Sequence, residues 1–188
     1  MQHRKLVFWL AASIFALPAG AADIDAPAVP NFHSVNEHLY RGGQPADTAW
    51  NRLAKLGVKT VIDLRPASEH SISKEAQIVE AAGMVYVSRP MARLAAPTNQ
   101  EILRILTLLD SSAQWPVFIH CRRGADRTGT VIACYRIAHN RWPNEKALSE
   151  ARMYGLSPLE IGMRHFIQNF HIDGATSEGD SGLSAGQR

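Results

Sequence analysis

The stretch that decides the fold is His120-Cys121-Arg122-Arg123-Gly124-Ala125-Asp126-Arg127-Thr128-Gly129. The apolar run before it, Trp115 to Ile119, predicts a buried strand, and the run from Thr130 to Ala138 predicts a helix. The residues between Cys121 and Arg127 are few enough for a loop that turns its backbone N–H groups inward and forms a nest for an anion. The following helix directs the positive end of its dipole at the same point.

The side chains of this loop indicate phosphoryl transfer. Arg127 carries a planar guanidinium that can grip a phosphate at two points. Cys121 is predicted to lie at the bottom of the electropositive loop, where the nucleophilic thiolate form is favoured. Thr128 can hydrogen-bond this thiolate when it departs, and Gly124 and Gly129 permit backbone angles closed to other residues. A nucleophile beneath a bound phosphate predicts an enzyme that cleaves phosphate esters.

The same residues resemble the signature of the protein tyrosine phosphatase superfamily: His-Cys, five residues, then Arg-Thr-Gly. The short chain resembles the dual-specificity branch in a bacterial exported form, and the resemblance covers roughly residues 31–171. It implies a phosphocysteine intermediate on Cys121 and phosphate binding by Arg127, with no metal or organic cofactor. The loop residues expected to contact the substrate are Arg122, Arg123, Gly124, Ala125 and Gly129.

The general acid is less obvious, because this chain departs from the family pattern. The dual-specificity family places a catalytic Asp on a separate loop before the cysteine, but residues 88–97 of this chain contain no acid. Asp126 is the favoured candidate, since its position directly before Arg127 resembles the myotubularin lipid phosphatases and the secreted mycobacterial triple-specificity phosphatases. Asp63, at the end of a predicted strand, is the alternative. Either carboxylate could instead form an ion pair with a neighbouring arginine.

Strands that alternate with helices predict an α/β fold, in which a central, largely parallel sheet of four to five strands is flanked by helices, as in a cysteine phosphatase. In such sheets ligands bind at the carboxyl ends of the strands, where the Cys121 loop is expected. The predicted strands are residues 32–35, 38–41, 58–64, 84–87 and 115–119. Capping signals predict helices that start at Thr98, at Asn144 and at Ser157.

Four segments are predicted along the 188 residues. Residues 1–22 have a basic start, an apolar run and the sequence Ala19-Gly20-Ala21, which together predict a secretory signal peptide and a periplasmic or secreted protein. Residues 23–30 are predicted to be a linker, 31–172 the phosphatase domain, and 173–188 a disordered tail. The apolar run is too short to span a membrane, and no stable membrane span is expected after the signal peptide is cleaved.

The amino-acid composition limits the kinds of partner and ligand that the protein is expected to bind. Without Arg4 and Lys5 of the predicted signal peptide, 18 basic residues face 17 acidic ones, so the charge gives no reason to expect nucleic acid. Two cysteines are too few for a disulfide framework, and Cys134 is predicted to be a packed core thiol. The scattered histidines show no metal-ligand spacing. The pattern leaves the oligomeric state open.

The leading hypothesis is therefore a cysteine-dependent phosphatase that hydrolyses phosphomonoesters. Its substrates would be phosphotyrosine, phosphoserine or phosphothreonine in proteins, or else phosphoinositides or inositol phosphates. Two other hypotheses remain: a catalytically silent phosphate-binding module and a thiol sulfurtransferase. The intact Cys121, Arg127 and Thr128 favour the phosphatase over both.

Overall fold

The computed structural model describes residues 28–172, so the predicted signal peptide and tail lie outside the described residues. The strands are β1 (His33–Asn36), β2 (Leu39–Gly42), β3 (Thr60–Asp63), β4 (Val85–Ser88) and β5 (Val117–His120). The helices are α1 (Trp50–Lys55), α2 (Ile72–Ala81), α3 (Asn99–Asp110), α4 (Asp126–Asn140), α5 (Asn144–Met153) and α6 (Ile161–Asn169). Among residues 28–172, no helix has the length and apolar character needed to cross a membrane.

The strands form one sheet in the order β1-β2-β5-β3-β4. Only the β1–β2 pair is antiparallel; β5 runs parallel to β2 and to β3, and β3 runs parallel to β4. The predicted α/β class and largely parallel sheet are confirmed. His120 pairs with both Gly42 and Asp63, and Asp63 pairs with Ser88, so four strands end along one line. The loops that follow these strands therefore meet at one edge of the sheet.

Alternation along the central strands places apolar side chains on both faces of the sheet. Val61 and Phe118 pack in the cluster that includes residues of α1 and α2. Ile62 and Ile119 pack in a second cluster with residues of α3 and α4. A third cluster, around the fully buried Leu148, joins α4 to α5 and α6. Burial on both faces fixes β5, and hence the loop that follows it, at the centre of the molecule.

The predicted capping box of α3 is confirmed: the side chain of Thr98 accepts from Glu101 N, and the Glu101 carboxylate accepts from Thr98 N. The helix predicted to start at Asn144 is confirmed as α5, but the capping role predicted for Asn144 is wrong, and so is the helix predicted to start at Ser157. Pro143, not Asn144, is the capping residue of α5, and the Asn144 amide donates to carbonyls at the end of α6. The last carbonyls of a helix lack the usual partner four residues on, and the Asn144 amide supplies a donor to those of Ile167 and Phe170.

The segment from Ser157 to Glu160 is a non-helical turn, and α6 begins only at Ile161. The backbone N–H of Ser157 donates to Asp126 Oδ1 at 2.9 Å. This hydrogen bond fastens the turn to the start of α4. The turn itself is closed by Glu160 N, which donates to Ser157 O, and by Leu159 N, which donates to Ser157 Oγ.

The packed part of the structure includes residues before residue 31, the predicted start of the phosphatase domain. Val29, in the segment predicted to be a linker, is fully buried. The carbonyls of Ala28 and Pro30 accept hydrogen bonds from Ala46 N and Gly43 N. These contacts hold the end of the predicted linker against the segment that follows β2.

Candidate active site

Cys121 directly follows β5, and α4 begins five residues later at Asp126. The thiol-bearing residue is 2% exposed and lies in the wall of a cavity of about 580 Å³. Arg122, Arg123, Asp126 and Arg127 contribute to the same wall. The strand–loop–helix arrangement predicted from the sequence therefore brings the cysteine, the arginine and the helix start around one cavity. The cavity is also lined by Glu69, Arg93, Leu94, Ser157, Leu159, Glu160 and Met163.

Gly124 holds the loop in its curled form. Its φ of +70° lies in the left-handed region, and a Cβ there would be 2.4 Å from the carbonyl carbon of Gly42. Its carbonyl accepts hydrogen bonds from Arg41 Nη2 at 2.8 Å and from Asn31 Nδ2 at 2.9 Å. The loop is therefore clamped between the end of β2 and two donors that sequence reasoning missed.

Arg41 places a cation beneath this loop. It is 1% exposed, and its guanidinium lies 4.5 Å from the centre of the Tyr154 ring. Burial lowers the pKa of Arg41 to about 10, so the side chain remains charged at neutral pH. Because Arg41 donates to the Gly124 carbonyl, its charge lies directly under the backbone of the predicted anion nest.

Arg127 is held by a carboxylate from the loop after β3. Glu69 Oε1 and Oε2 accept from Arg127 Nη1 and Nη2, each at 2.9 Å, and Nη1 also approaches the carbonyl of Leu64 at 3.4 Å. A guanidinium has five N–H donors. Among residues 28–172, Nε–H and the second hydrogen of Nη2 have no partner, and these two donors share one edge of the fork. That edge is available for a phosphate.

Thr128 is fully buried in the first turn of α4. Among the described residues its hydroxyl has no hydrogen-bond partner. A buried hydroxyl normally has one, so the geometry leaves this group available for a bond in another state of the site.

The two predicted proton donors lie in different surroundings. Asp126 lines the cavity, and both of its oxygens accept hydrogen bonds, Oδ1 from Ser157 N and Oδ2 from Arg123 Nη2. Asp63 is fully buried at the end of β3 and does not line the cavity. Its carboxylate forms an ion pair with Arg65, as the alternative interpretation from the sequence allowed.

Asp63 belongs to a buried polar network beneath the cysteine strand. Burial alone would raise the pKa of Asp63, but the nearby His120 and the hydrogen bonds and charge of Arg65 lower it overall. Tyr86 donates to Asp63 Oδ2 at 2.9 Å, and burial together with that carboxylate raises the pKa of Tyr86. Arg65 also pairs with Glu75, so one guanidinium bridges two buried carboxylates.

His120 is the part of this network next to the nucleophile. It is fully buried, stacks on Phe118 with 5.4 Å between ring centres, and places Nε2 3.3 Å from Glu75 Oε1. Potential ligand atoms of Asp63, Glu75 and His120 lie within 4.8 Å of one another. Because Arg65 already supplies the positive charge between the two carboxylates, the donor set is better suited to that guanidinium than to a metal ion.

The second cysteine is separate from the site. Cys134 is fully buried in α4, and burial raises the pKa of its thiol. Both cysteines are free, so the described structure contains no Cys121–Cys134 disulfide.

Sequence reasoning also missed Glu69 and Glu160. Each lies outside the cysteine motif, in a loop or turn, and reaches the cavity only through the folding of segments distant in sequence. The one available signal was position: Glu69 follows β3, whose carboxyl end was expected at the ligand edge.

A parallel sheet with a cysteine loop at its carboxyl edge and an arginine in the first turn of the next helix defines a cysteine phosphatase of the tyrosine-phosphatase superfamily. Comparison with known proteins agrees. The family model described as "DSP-PTPase phosphatase fused to NAD+ Kinase" matches residues 25–169. The chain belongs to this family of dual-specificity-type phosphatase domains.

The chain aligns with most of the length of several known proteins. The putative tyrosine-protein phosphatase OCA1 of Mycosarcoma maydis is 32% identical over 148 residues, 75% of this chain and 90% of the relative. Inositol diphosphatase DSP4 of Arabidopsis thaliana is 26% identical over 159 residues, 81% of this chain and 77% of the relative. The crystal structure of Pseudomonas aeruginosa TpbA superimposes with a TM-score of 0.67 at 25% identity, covering 79% of this chain and 89% of that chain.

Proposed function

We propose that the protein hydrolyses phosphate monoesters through a phosphocysteine intermediate on Cys121. The observation that carries this proposal is the convergence of Cys121 and the open edge of the Arg127 guanidinium on one cavity. In the first step the thiolate attacks phosphorus, an S–P bond forms, and the bond from phosphorus to the ester oxygen breaks. The departing oxygen takes a proton from an acid of the cavity.

In the second step water attacks phosphorus, the S–P bond breaks, and phosphate leaves. Arg127 stabilises the charge on the transferring group in both steps. The hydroxyl of Thr128, which has no partner among the residues that the structure describes, lies in the first turn of α4, where it could donate to the sulfur as the thiolate is released. The carboxylate that gave up its proton recovers one from the attacking water.

The charges at the rim of the cavity favour a substrate with more than one phosphate. Arg127 and Arg123 are paired with Glu69 and Asp126, but Arg93 and Arg122 have no ion-pair partner among residues 28–172. Unpaired guanidinium groups bind additional phosphates at two points each. We therefore favour inositol phosphates or phosphoinositides, in line with the inositol diphosphatase among the relatives.

Phosphorylated proteins are the second candidate substrate class. The relatives include proteins named tyrosine-protein phosphatase and dual specificity protein phosphatase. A panel of phosphotyrosine, phosphoserine and phosphothreonine peptides, soluble inositol phosphates and phosphoinositides in vesicles would separate the two classes. The proposal expects the highest kcat/KM on a substrate with several phosphates, and a preference for singly phosphorylated peptides would contradict it.

The basic test of the proposal is phosphate release from p-nitrophenyl phosphate. A silent phosphate-binding module would bind tungstate or vanadate without turnover. A thiol sulfurtransferase would instead transfer sulfur from thiosulfate to cyanide.

We also propose that the protein is exported, because residues 1–22 have the pattern of a signal peptide. Intact-mass analysis of protein recovered from outside the cytoplasm should show a first residue near Ala22 or Asp23. A mass that still includes Met1 would contradict the proposal.

A further inference from the structure

The cavity contains three carboxyl side chains, those of Glu69, Asp126 and Glu160. A proton donor needs an oxygen that can carry a hydrogen and present it to the substrate. The loop between β4 and α3 brings Arg93 and Leu94 to the cavity, and it has no acid of its own from residue 88 to residue 97. The donor is therefore to be sought among these three groups.

The carboxyl oxygens of Glu69 and Asp126 already accept hydrogen bonds. Both oxygens of Glu69 accept from Arg127, at 2.9 Å each. Both oxygens of Asp126 accept as well, one from the backbone of Ser157 and one from the guanidinium of Arg123. Oxygens that already accept N–H donors are held in those contacts, so neither carboxyl is free to turn toward a substrate and present a proton.

Glu160 differs from both. It is 7% exposed and lines the cavity, yet among residues 28–172 its carboxyl makes no hydrogen bond and no ion pair. Glu160 is a mostly buried residue whose carboxyl lacks N–H donors among the described residues, and both features favour the protonated form. Its position immediately before α6 sets the side chain at the rim of the cavity, on the turn that Asp126 fastens to α4.

The charges around Glu160 come from several segments. Asp126 and Arg127 belong to α4, Arg123 to the cysteine loop, and Arg93 to the loop after β4. Burial first, and then the negative charge of Asp126, raise the pKa of Glu160 above its usual range, although the three arginines oppose this shift. On its own helix, Arg164 is turned away to donate to the carbonyl of Pro158.

We propose that Glu160 is the proton donor to the departing oxygen, and that Asp126 is a positioning residue. This inference rests on the proposed phosphatase function. As the bond from phosphorus to the ester oxygen breaks, the O–H bond of Glu160 breaks and its proton moves to that oxygen. In the second step the Glu160 carboxylate takes a proton from the water that attacks the phosphocysteine. Asp126 holds the turn that carries Glu160 by accepting from Ser157 N.

The assignment differs from the sequence prediction, which favoured Asp126. Asp126 was the only acid inside the cysteine motif, whereas Glu160 lies 34 positions later in the chain and reaches the cavity because its turn folds back onto α4.

The test is a leaving-group series on the full chain. kcat and kcat/KM are measured against pH for p-nitrophenyl phosphate, phenyl phosphate and glycerol 2-phosphate, in the wild type and in Glu160→Gln, Asp126→Asn and Glu80→Gln. Glu80 is an exposed residue of α2 and serves as the matched control. The more basic the departing oxygen, the more its release depends on a donated proton.

Glu160→Gln should lose roughly 100-fold or more on glycerol 2-phosphate, within the usual range for a general acid, and much less on p-nitrophenyl phosphate. The fall of kcat at high pH, where the wild-type donor loses its proton, should disappear. Asp126→Asn should lower the rates on all three substrates by a similar factor and keep the alkaline fall, moved to lower pH because the charge of Asp126 no longer raises the pKa of Glu160. Glu160→Asp, which retains an acidic proton, should keep the alkaline fall at a reduced rate.

The inference would be overturned if Glu160→Gln kept both the wild-type dependence on the leaving group and the fall of kcat at high pH. It would also be overturned if Asp126→Asn, in place of Glu160→Gln, lost the alkaline fall and was impaired most on glycerol 2-phosphate. Should Glu160→Gln fail to fold, loss of the alkaline fall in Glu160→Asp would equally overturn it. Failure of the wild type to hydrolyse p-nitrophenyl phosphate would instead refute the proposed function, and the inference with it.

Discussion

The carboxylate of Glu69 binds one side of the Arg127 guanidinium: Oε1 accepts from Nη1 and Oε2 accepts from Nη2, both at 2.9 Å. The two residues lie 58 positions apart in the chain. The contact fixes the plane of the guanidinium and leaves the Nε–Nη2 edge without a partner among the described residues. Glu69 thereby orients Arg127 without occupying the edge that we assign to phosphate.

Arg127→Lys is expected to lower kcat/KM on p-nitrophenyl phosphate by roughly 100-fold or more, the scale observed when a transition-state donor is removed. An ammonium cannot bind Glu69 and a phosphate through a planar fork at the same time. Glu69→Gln should fall between this variant and the wild type, because one neutral oxygen can still accept from the guanidinium. Steady-state kinetics provide the measurement.

Arg104→Lys is the matched control for this prediction, since Arg104 is an exposed residue of α3 outside the cavity. It should retain wild-type kcat/KM. Near-normal kcat/KM in Arg127→Lys would show that the phosphate binds elsewhere.

Gly124→Ala should abolish turnover, because the added Cβ would collide with the backbone at Gly42 and Gly43, at 2.4 and 2.5 Å. Gly57→Ala is the control: its φ is +92°, but a Cβ there meets nothing within 4 Å. That variant should lose stability of about 1–2 kcal/mol, the cost of a left-handed L-residue, and keep its activity. Thermal unfolding and kinetics on both variants check the prediction, and equal activity in the two would contradict it.

Asp63→Asn should destabilise the fold by about 1.5–3 kcal/mol at neutral pH, the scale of hydrogen bonds to charged groups, because buried Arg65 loses one of its two carboxylate partners and keeps Glu75. The pKa of Asp63 is lowered in the folded state. Its contribution is therefore complete above the ordinary aspartate value of about 3.9 and is lost as the pH falls through the lower folded value.

The stability difference between wild type and Asp63→Asn should accordingly shrink as the pH falls below about 4. Guanidinium unfolding at a series of pH values measures it, with exposed Asp47→Asn as a control that shows little difference at any pH. A difference that stayed constant down to the acid limit would mean that the ion pair contributes nothing to the stability of the fold.

The parts of the fold that the sequence predicted depend on local signals. Short apolar runs marked β3 and β5, and Thr98 and Glu101 marked the start of α3 through contacts only three residues apart. The cysteine loop was predictable for the same reason, since Cys121 and Arg127 lie within one continuous stretch.

The parts that the sequence did not predict depend on contacts between distant segments. The pairing of Glu69 with Arg127 joins the loop after β3 to the first turn of α4, and the bond from Ser157 N to Asp126 spans 31 positions. Such contacts are set by the sheet order and by helix packing, which local pattern does not encode.

Cys121→Ser tests the central claim most directly. Arg127 and the loop would still bind an oxyanion, but a serine hydroxyl cannot replace the thiolate as nucleophile. We predict less than about 1% of wild-type turnover of p-nitrophenyl phosphate, no phosphorylated protein in acid-quenched mass spectra, and tungstate binding close to that of the wild type. The wild type quenched during turnover should show a phosphate on Cys121. Wild-type turnover in Cys121→Ser would contradict the phosphocysteine mechanism.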